Sequence, residues 1–338
     1  MAAGLHPREM VKLLLQGVAP PRPLLLPIVF SLGAKIENLP LAAFLGNPTK
    51  ICSALRQIRG YLRTDGVSCY FDPYLEAEML GAQVRRGSDG TAEISWSGDA
   101  ANGAVLDGLA SVEGAMHSSR VAVAVDVIGR MKTMLRDEPL LMAGVTGPLT
   151  LAARLTRRNP EGPLQVQDLR PHAVELSNGV FAGLARRFAE AGANAIIIQE
   201  DVEPLFSEDT RTAWIMEIES ACNVIRFYEA LPVLLLNNDC WLSDDFLWML
   251  RHRWNCVVSP LMKENDAARA NLHGGSTIGV ALAPSLFSAD AAARVGARPW
   301  LLETLQTIQP AVITTAGDVP LTVDVKLLAS TLGMASRP

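Results

Sequence analysis

The sequence is poor in charge and has no strongly basic segment. Asp, Glu, Lys and Arg make up 19% of its 338 residues, 49% are hydrophobic, and the formal net charge is −5. Disordered chains carry more charge and less apolar surface than this. Proteins whose principal partner is DNA or RNA present a basic surface, which this acidic chain does not favour. The composition therefore favours a globular protein that acts on small molecules.

Long apolar runs and paired cysteines are also absent. The longest uncharged runs, PLLLPIVFSLGA and ALPVLLLNN, fall well short of the roughly 20 residues that span a bilayer, so no membrane segment is predicted. Arg8, Glu9 and Lys12 interrupt the apolar N-terminal stretch, which favours an amphipathic helix over a cleavable leader. The five cysteines are odd in number and form no CxxC pair, which predicts reduced thiols and a cytoplasmic protein.

Eight short apolar runs, separated by amphipathic stretches with helical spacing, recur along the chain. Such near-continuous apolar strands are typical of a parallel sheet that helices cover. We therefore predict an α/β fold, the (β/α)8 TIM barrel. An open doubly wound sheet is the alternative, but no GxGxxG follows the first run and no GxxxxGK[ST] occurs. The predicted strands are 24–30, 67–72, 140–147, 194–201, 233–239, 255–262, 277–283 and 311–317.

Neither an internal repeat nor a Pro/Ser-rich linker divides the chain, so residues 1–338 are predicted to form a single barrel domain. An N-terminal helix precedes the barrel, and the turn-rich segment 87–103 is predicted to be a hairpin inserted after the second strand. The predicted helices between the strands are 48–62, 74–80, 121–135, 172–191, 211–230, 243–252 and 299–308.

Polar residues follow most of the predicted strands. Barrel enzymes build their active sites at the carboxyl ends of the strands, so we expect these residues to form a ring of acids and amides around the barrel mouth. The ring consists of Asp72, Tyr74, Thr146, Gly147, Gln199, Glu200, Asp201, Asn237, Asn238, Asp239, Cys240, Ser259, Thr314, Thr315 and Asp318.

Several of these residues are acids that converge on one mouth. Burial and like-charge neighbours raise carboxyl pKa values, so one such acid can hold a proton near neutral pH. Asp72, Glu200 and Asp239 are the predicted catalytic residues, and Asp201 is a further acid in the same place. The alternative is that a carboxylate caps the helix that follows it, and for Asp201 and Asp239 this interpretation is equally well supported.

Metal ligands are scarce in the predicted ring. None of the five histidines lies on a predicted strand end, whereas zinc takes three or four Cys, His or carboxylate ligands. Asp72, Glu200 and Asp239 have the chemistry of a Mg²⁺ or Ca²⁺ site, but their spacing gives it no specific support. Cys240 has no evident histidine partner, which favours a packed thiol. We predict no metal site.

Four segments resemble the uroporphyrinogen decarboxylase superfamily in order and spacing. They are DGVSCYFDPYLEAEMLGAQV, VTGPLTLAARL, FAEAGANAIIIQEDVEPLFSED and ITTAGDVPLTVDV. The resemblance spans about residues 27–328 and implies a (β/α)8 barrel. The superfamily contains decarboxylases of tetrapyrrole side chains and methyltransferases that work with corrinoid proteins, many of them zinc-dependent.

The decarboxylase pattern is incomplete in this chain. The arginine-rich loop that follows the first strand of those enzymes reads FSLGAKIEN here, with Lys35 as its only cation. Their aromatic residue after the Gly-Pro-x-Thr turn and their late histidine are missing, and only Asp72 matches. A substrate with many carboxylates needs cationic partners, so uroporphyrinogen decarboxylation is not expected.

The zinc pattern of the methyltransferase branch is incomplete as well. The His-x-Cys motif of its zinc-dependent members aligns with Asn238 and Cys240, and their last cysteine aligns with Gly317. One soft ligand does not hold zinc. The resemblance therefore implies a branch that works without zinc, or one that has changed its ligands.

The resemblance favours a methyltransferase-like enzyme of one-carbon metabolism, which moves a methyl group between a small organic or folate-type molecule and a cobalamin (corrinoid) protein. A metal-independent decarboxylase or lyase of a small acid, using Asp72 and Lys35, is one alternative, and a non-catalytic ligand-binding barrel is another.

No tightly bound cofactor is predicted, and a corrinoid on a partner protein or tetrahydrofolate is the expected co-substrate. The amide and carboxylate groups of the predicted ring suit a heterocycle such as a pterin. Methyl transfer requires the donor and the acceptor of the methyl group to be held in line. A homodimer is expected because members of the superfamily are often dimers. The residues expected to contact the substrate are Lys35, Tyr74, Thr146, Gly147, Gln199, Asp201, Asn237, Asn238, Cys240 and Thr315.

Overall fold

A computed structural model describes most of the chain. The described residues are 5–87, 92–95, 111–136, 138–156, 170–201, 208–237, 254, 256–261, 278–287 and 291–335, without the side chains of 208–213 and 291–298. Asn238, Asp239, Cys240 and the predicted helix 243–252 lie outside these ranges.

Eight parallel strands form the central sheet, and two further strands form a separate hairpin. Nearly every residue of the eight is buried, as expected for strands with apolar side chains on both faces. Numbered along the chain, the strands are β1 (Leu24–Leu25), β2 (Gly66–Tyr70), β3 (Gln83–Arg86), β4 (Ala92–Ser95), β5 (Leu140–Thr146), β6 (Ala195–Glu200), β7 (Leu231–Leu236), β8 (Val257–Leu261), β9 (Ile278–Leu282) and β10 (Val312–Thr315).

The central sheet forms a nearly closed barrel. Its strands follow one another in chain order from β2 through β5 to β10, and β1 pairs with β10 at the far edge. Between the two edges, the N–H of Asp65 donates to the carbonyl of Leu25 at 3.1 Å. The hydroxyl of Ser68 donates to the carbonyl of Pro27 at 3.1 Å and accepts from the N–H of Val29 at 3.2 Å. These bonds join β1 to β2, and the predicted (β/α)8 barrel is confirmed.

The first strand is much shorter than predicted. Pro27 has no N–H to donate to a strand ladder. Beyond it, the N–H of Ile28 donates to the hydroxyl of Thr315 at 3.0 Å, and the N–H of Phe30 donates to the carboxylate of Asp318 at 2.8 Å. Side chains at the end of β10 and just after it therefore satisfy the backbone where a ladder was expected.

Helices cover the outside of the barrel, and an N-terminal helix precedes it as predicted. The structure adds short helices after β1 and before the long helix that leads to β5, and it places Pro299 inside a helix that was predicted to start there. No helix in the described part of the chain is both long and apolar enough to cross a bilayer. The helices are α1 (Pro7–Leu15), α2 (Leu32–Ile36), α3 (Leu41–Leu45), α4 (Pro48–Leu62), α5 (Leu75–Met79), α6 (Val112–Met116), α7 (Ser119–Leu135), α8 (Pro148–Thr156), α9 (Pro171–Ala191), α10 (Glu208–Phe227), α11 (Ala291–Ile308) and α12 (Val325–Ala335), with a 3₁₀ turn at Pro284–Phe287.

The hairpin leaves the barrel after β2, where the insertion was predicted. Its strands β3 and β4 are antiparallel, with Gln83 opposite Ser95. Exposure alternates along both strands, which is typical of a ribbon that rests one face on the protein. The predicted range 87–103 contains β4 but not β3, because β3 already spans Gln83–Arg86. The division of the chain into a single domain stays a prediction.

Candidate active site at the barrel mouth

The carboxyl ends of β5, β6 and β7 lie side by side. Thr146 pairs in register with Gln199, and Glu200 pairs with Leu236. Asn237 donates its N–H to the carbonyl of Glu200 at 3.0 Å. Contacts from the loop after β2 complete this side of the mouth. The predicted residues that the structure brings together here are Asp72, Tyr74, Thr146, Gly147, Gln199, Glu200, Asp201 and Asn237.

Asp72 lies just after β2 and is buried against two arginines. Its Oδ2 accepts from the guanidinium of Arg86 at 2.7 Å and from that of Arg120 at 2.6 Å. Its Oδ1 accepts from the N–H of Tyr74 at 3.1 Å. Three donors, two of them charged, therefore fix the position of this side chain.

Glu78 binds the same two arginines. Its carboxylate accepts from Arg86 at 2.6 Å and from Arg120 at 2.7 Å. We call Asp72, Glu78, Arg86 and Arg120 the arginine–carboxylate cluster. The Nε of Arg120 also donates to the hydroxyl of Tyr70 at 3.0 Å. Because Arg86 lies on β3 and Arg120 at the start of α7, the cluster fastens the hairpin and a barrel helix to the end of β2.

Glu200 is fully buried and accepts four hydrogen bonds. The donors are the N–H of Leu149 at 3.1 Å, the N–H and hydroxyl of Thr150 at 2.9 and 2.6 Å, and the indole of Trp214 at 3.2 Å. The two N–H groups belong to the first turn of α8, so Glu200 caps that helix. Burial raises the pKa of Glu200 to about 7, and the donors oppose this shift. At Gly147 an added Cβ would lie 2.2 Å from the Glu200 side chain.

Glu76, on the short helix α5, is a buried acid that contacts the end of β5. Its Oε1 accepts from the N–H of Thr146 at 2.7 Å, and its Oε2 lies 2.8 Å from the Thr146 hydroxyl. That hydroxyl lies 3.2 Å from the carbonyl of Pro73. Burial raises the pKa of Glu76 to about 7. A protonated Glu76 can donate to the Thr146 hydroxyl, which donates in turn to Pro73, so the neutral acid keeps all of these bonds.

Asp201 is bound from three sides. The side-chain NH₂ groups of Gln199 and Asn237 donate to its Oδ1 at 2.9 and 2.8 Å. Arg154 donates to Oδ2 of Asp201 at 3.1 Å, and the backbone N–H of Asp201 donates to the hydroxyl of Thr150 at 2.7 Å. Within the described part of the chain, the carbonyl oxygens Oε1 of Gln199 and Oδ1 of Asn237 are buried and accept no hydrogen bond.

Arg154, on α8, connects two sides of the mouth. Besides Asp201, its guanidinium contacts the carbonyl of Pro73 and lies over the ring of Tyr74, 5.4 Å from the ring centre. A guanidinium over an aromatic face is attracted by the ring electrons. The loop after β2 is thereby joined to the end of β6.

Lys35 and Thr315, two predicted contact residues, have partners inside the fold. The ammonium of Lys35 lies 3.4 Å from the carbonyl of Val323. The hydroxyl of Thr315 accepts from the N–H of Ile28 at 3.0 Å and donates to the carbonyl of Gly317 at 2.6 Å. Their role in substrate binding stays a prediction.

The described residues contain no group of three or more His, Cys, Asp or Glu side chains arranged to hold a metal ion. The cysteines Cys52, Cys69, Cys222 and Cys256 are free and buried. Burial raises the pKa of each of these thiols, which makes them packing groups and poor nucleophiles.

Five charged residues of the mouth were not predicted from the sequence, because none of them lies at the end of a strand of the barrel. They lie on helices or on the hairpin, and their partners are distant along the chain: Arg120 and Asp72 are 48 residues apart. Glu76 did leave a signal, since it lies among apolar residues in the predicted helix YLEAEML. The five are Glu76, Glu78, Arg86, Arg120 and Arg154.

Comparison with known proteins adds a family match and a shared fold. The family model described as uroporphyrinogen decarboxylase (URO-D) matches residues 10–227. No curated protein sequence compared with the chain matches it. A methyltransferase from Methanosarcina mazei superposes with a TM-score of 0.74 at 14% identity, covering 98% of both chains. YagE, an E. coli K12 protein of the dihydrodipicolinic acid synthase family, covers 86% of this chain and 68% of its own at 13% identity, with a TM-score of 0.43. The first likeness shows a shared fold, and the second adds nothing to it.

Proposed function

The chain belongs to the uroporphyrinogen decarboxylase family, and we propose that it is a methyltransferase that passes a methyl group from a small organic molecule to a corrinoid on a partner protein. The solved structure from Methanosarcina mazei that shares its fold is a methyltransferase, which supports this activity over decarboxylation. Tetrahydrofolate is the alternative co-substrate.

The observation that carries the proposal is the pairing of the arginines in the mouth. In the arginine–carboxylate cluster, each guanidinium contacts both carboxylates. Arg154 is paired with Asp201 at 3.1 Å. Recognition of a substrate with several carboxylates requires cations that are free to bind it. Since the described arginines of the mouth are already paired, the site favours a substrate without carboxylates at its reacting end.

Methyl transfer requires a proton at the atom that the methyl group leaves. The bond from that oxygen, nitrogen or sulfur to the methyl carbon breaks, its electron pair stays on the atom, and a proton neutralises it. We assign Glu76 as the source of this proton, because it holds one near neutral pH. The Thr146 hydroxyl, 2.8 Å from Glu76, passes a proton to the leaving atom and receives one from Glu76. The corrinoid supplies the nucleophile that accepts the methyl group.

The predicted catalytic acids Asp72 and Glu200 have positioning roles in this proposal. Asp72 is held by two arginines and orients the loop that leads into α5, the helix that carries Glu76. Glu200 fixes the turn between β5 and α8 through its four donors. Asp239 lies outside the described residues, and its catalytic role stays a prediction.

Zinc has no step in this mechanism. Gly317 offers no side chain at the position of a zinc cysteine, and an amide, Asn238, replaces the histidine. One remaining thiolate, that of Cys240, does not make a zinc site. The residues that align with the zinc ligands of the family therefore do not fit the metal.

A direct assay tests the proposed function. The purified protein is mixed with free cob(I)alamin, which stands in for the partner, and with a panel of O-, N- and S-methylated small molecules. We expect at least one of them to be demethylated, with methylcobalamin detected by its absorbance and the product by mass spectrometry. Release of carbon dioxide from small carboxylic acids, without methylcobalamin formation in any mixture, would overturn the proposal.

A further inference from the structure

The amide groups of Gln199 and Asn237 are held in one orientation. Both NH₂ groups donate to the same atom, Oδ1 of Asp201, at 2.9 and 2.8 Å. Rotating either amide by half a turn would place its carbonyl oxygen against the carboxylate, and two negative groups in contact repel. The NH₂ groups therefore face Asp201, and the two carbonyl oxygens point away from it.

The orientation of these amides is reinforced by the other partners of Asp201. Arg154 donates to Oδ2 of Asp201 at 3.1 Å, and the backbone N–H of Asp201 donates to the hydroxyl of Thr150. The carboxylate is therefore fixed before any ligand arrives. A pre-arranged pair of acceptors loses little freedom on binding, which favours affinity.

The two amide groups lie close together in the mouth. Gln199 is the second-last residue of β6 and pairs with Leu235 of β7, and Asn237 follows β7 directly. The side-chain nitrogens of Gln199 and Asn237 both donate to Oδ1 of Asp201. The distance between them is therefore at most the sum of these two hydrogen-bond lengths. Both oxygens are buried and accept no hydrogen bond from the residues that the structure describes. A buried acceptor without a donor is unfavourable, so a ligand that supplies donors is stabilised here.

We infer that Gln199 and Asn237 form a subsite for an amidine-like edge, which is two N–H donors on nitrogens that share one carbon. The group is neutral or cationic, because two carbonyl oxygens beside the Asp201 carboxylate repel an anion. The ring edge of a reduced pterin and the free end of a guanidino compound both carry this chemistry. The inference rests on the proposed function, because it names the substrate class of the same mouth.

Isothermal titration of the full chain without corrinoid tests the subsite. The probes are 6-methyltetrahydropterin, its analogue without the 2-amino group, and methylguanidine. We expect the analogue to bind about tenfold more weakly than the complete pterin, because it leaves one acceptor unpaired. Binding of the pterin assigns the edge to a reduced pterin, and binding of methylguanidine alone assigns it to an acyclic guanidino group. Failure of both to bind would overturn the inference.

A matched pair of substitutions places the binding at this subsite. Gln199→Met keeps the side-chain length and removes the acceptor, and it should weaken binding of the favoured probe about tenfold. Gln57→Met makes the same change at an exposed position on α4, where the amide contacts only Glu37 among the residues described, and should leave binding unchanged. Unaltered binding by a folded Gln199→Met protein would contradict the inference.

The outcomes separate the subsite from the proposed function. Methyl transfer by a protein that binds none of the probes would remove the subsite and keep the methyltransferase. Probe binding that Gln199→Met abolishes, in a protein that demethylates nothing, would keep the subsite and remove the methyltransferase.

Discussion

Glu76 and Glu200 share a raised pKa but have opposite hydrogen-bond surroundings. Burial raises the pKa of both to about 7. Glu76 contacts the N–H and hydroxyl of Thr146, and that hydroxyl can accept as well as donate. Glu200 is surrounded by four donors. The first acid can keep a proton at no cost in hydrogen bonds, whereas the second loses a bond when it is protonated.

Replacing each acid by its amide distinguishes these surroundings. In Glu76→Gln the amide oxygen still accepts from Thr146 and the NH₂ donates to its hydroxyl, so the free energy of unfolding should change by less than about 1 kcal/mol. In Glu200→Gln the NH₂ faces other donors, so the loss should be about 2 to 3 kcal/mol. Urea denaturation at neutral pH measures both values. A larger loss in Glu76→Gln than in Glu200→Gln would contradict the hydrogen-bond surroundings described for the two acids.

The raised pKa of Glu76 also predicts how stability depends on pH. Its pKa is about 7 in the folded protein and 4.5 for an ordinary glutamate, so between these values the folded chain binds more protons than the unfolded chain. The free energy of unfolding therefore falls as pH rises through this window, and this group contributes up to about 3 kcal/mol of the decline. Urea titrations near the two ends of the window should show a smaller decline for Glu76→Gln than for wild type. Equal declines would mean that Glu76 does not titrate there.

The strand-end rule located some residues of the mouth and not others. Thr146, Gln199 and Asp201 could be placed from the sequence because a short apolar run marks where each strand stops. Arg86 and Glu76 could not be placed in the mouth from the sequence, because they lie on the hairpin and on α5, and only tertiary contacts bring them to the mouth. The roles of the acids depend on hydrogen-bond donors contributed by other elements, and spacing along the chain does not encode those.

The hairpin is attached to the barrel through Arg86. This side chain is only 6% exposed and contacts both carboxylates of the arginine–carboxylate cluster. Its neighbour Arg85 contacts Glu93 with a side chain that is 85% exposed. Two adjacent arginines on one strand thus differ in burial, which makes them a matched pair.

We expect Arg86→Met to lower the free energy of unfolding by about 3 to 5 kcal/mol, because it leaves the buried carboxylate of Asp72 and the partly buried one of Glu78 with a single cation. Arg85→Met should cost less than about 1 kcal/mol, as exposed ion pairs do. Urea denaturation gives both values, and limited proteolysis should show faster cleavage near the hairpin in Arg86→Met alone. Equal effects of the two substitutions would show that the arginine–carboxylate cluster does not attach the hairpin to the barrel.

The turn from β5 to α8 depends on the absence of a side chain at Gly147. A methyl group there would lie 2.2 Å from the Glu200 side chain, so Gly147→Ala should cost about 3 kcal/mol by displacing the carboxylate that caps α8. Gly60→Ala, in α4, meets no atom within 4 Å and should stabilise by about 0.5 to 1 kcal/mol. Thermal denaturation compares the two. A stable Gly147→Ala protein would contradict the packing described here.

Most of the longer elements could be predicted because a single residue pattern governs each of them, whereas α8 and α12 were not predicted. The bounds of α4 match the prediction, since Pro48 starts the helix and the apolar spacing continues to Leu62. β1 is shorter than its apolar pattern predicts, because Pro27 has no N–H and the side chains of Thr315 and Asp318 accept the hydrogen bonds of the residues beyond it. The five-residue helices after β1 have no room for a periodic pattern, so the sequence gives no signal for them.

The barrel as a whole follows from eight apolar runs in order, and the family match agrees with it. The ion pairs of its mouth could not be predicted from the sequence, because the net charge does not show which cation pairs with which anion. The structure pairs the mouth arginines among Asp72, Glu78 and Asp201, and this pairing separates the proposed methyl transfer from decarboxylation of a polyacid.

The pH dependence of methyl transfer, compared between wild type and Glu76→Gln with EDTA present, tests the central claim most directly. If Glu76 supplies the proton, kcat/KM of the wild type should fall above pH 7, where a group with a pKa of about 7 has lost it. Glu76→Gln should be slower by roughly 10² to 10⁴-fold at lower pH and lack that decline. A variant that keeps both the wild-type rate and the same decline would contradict the account.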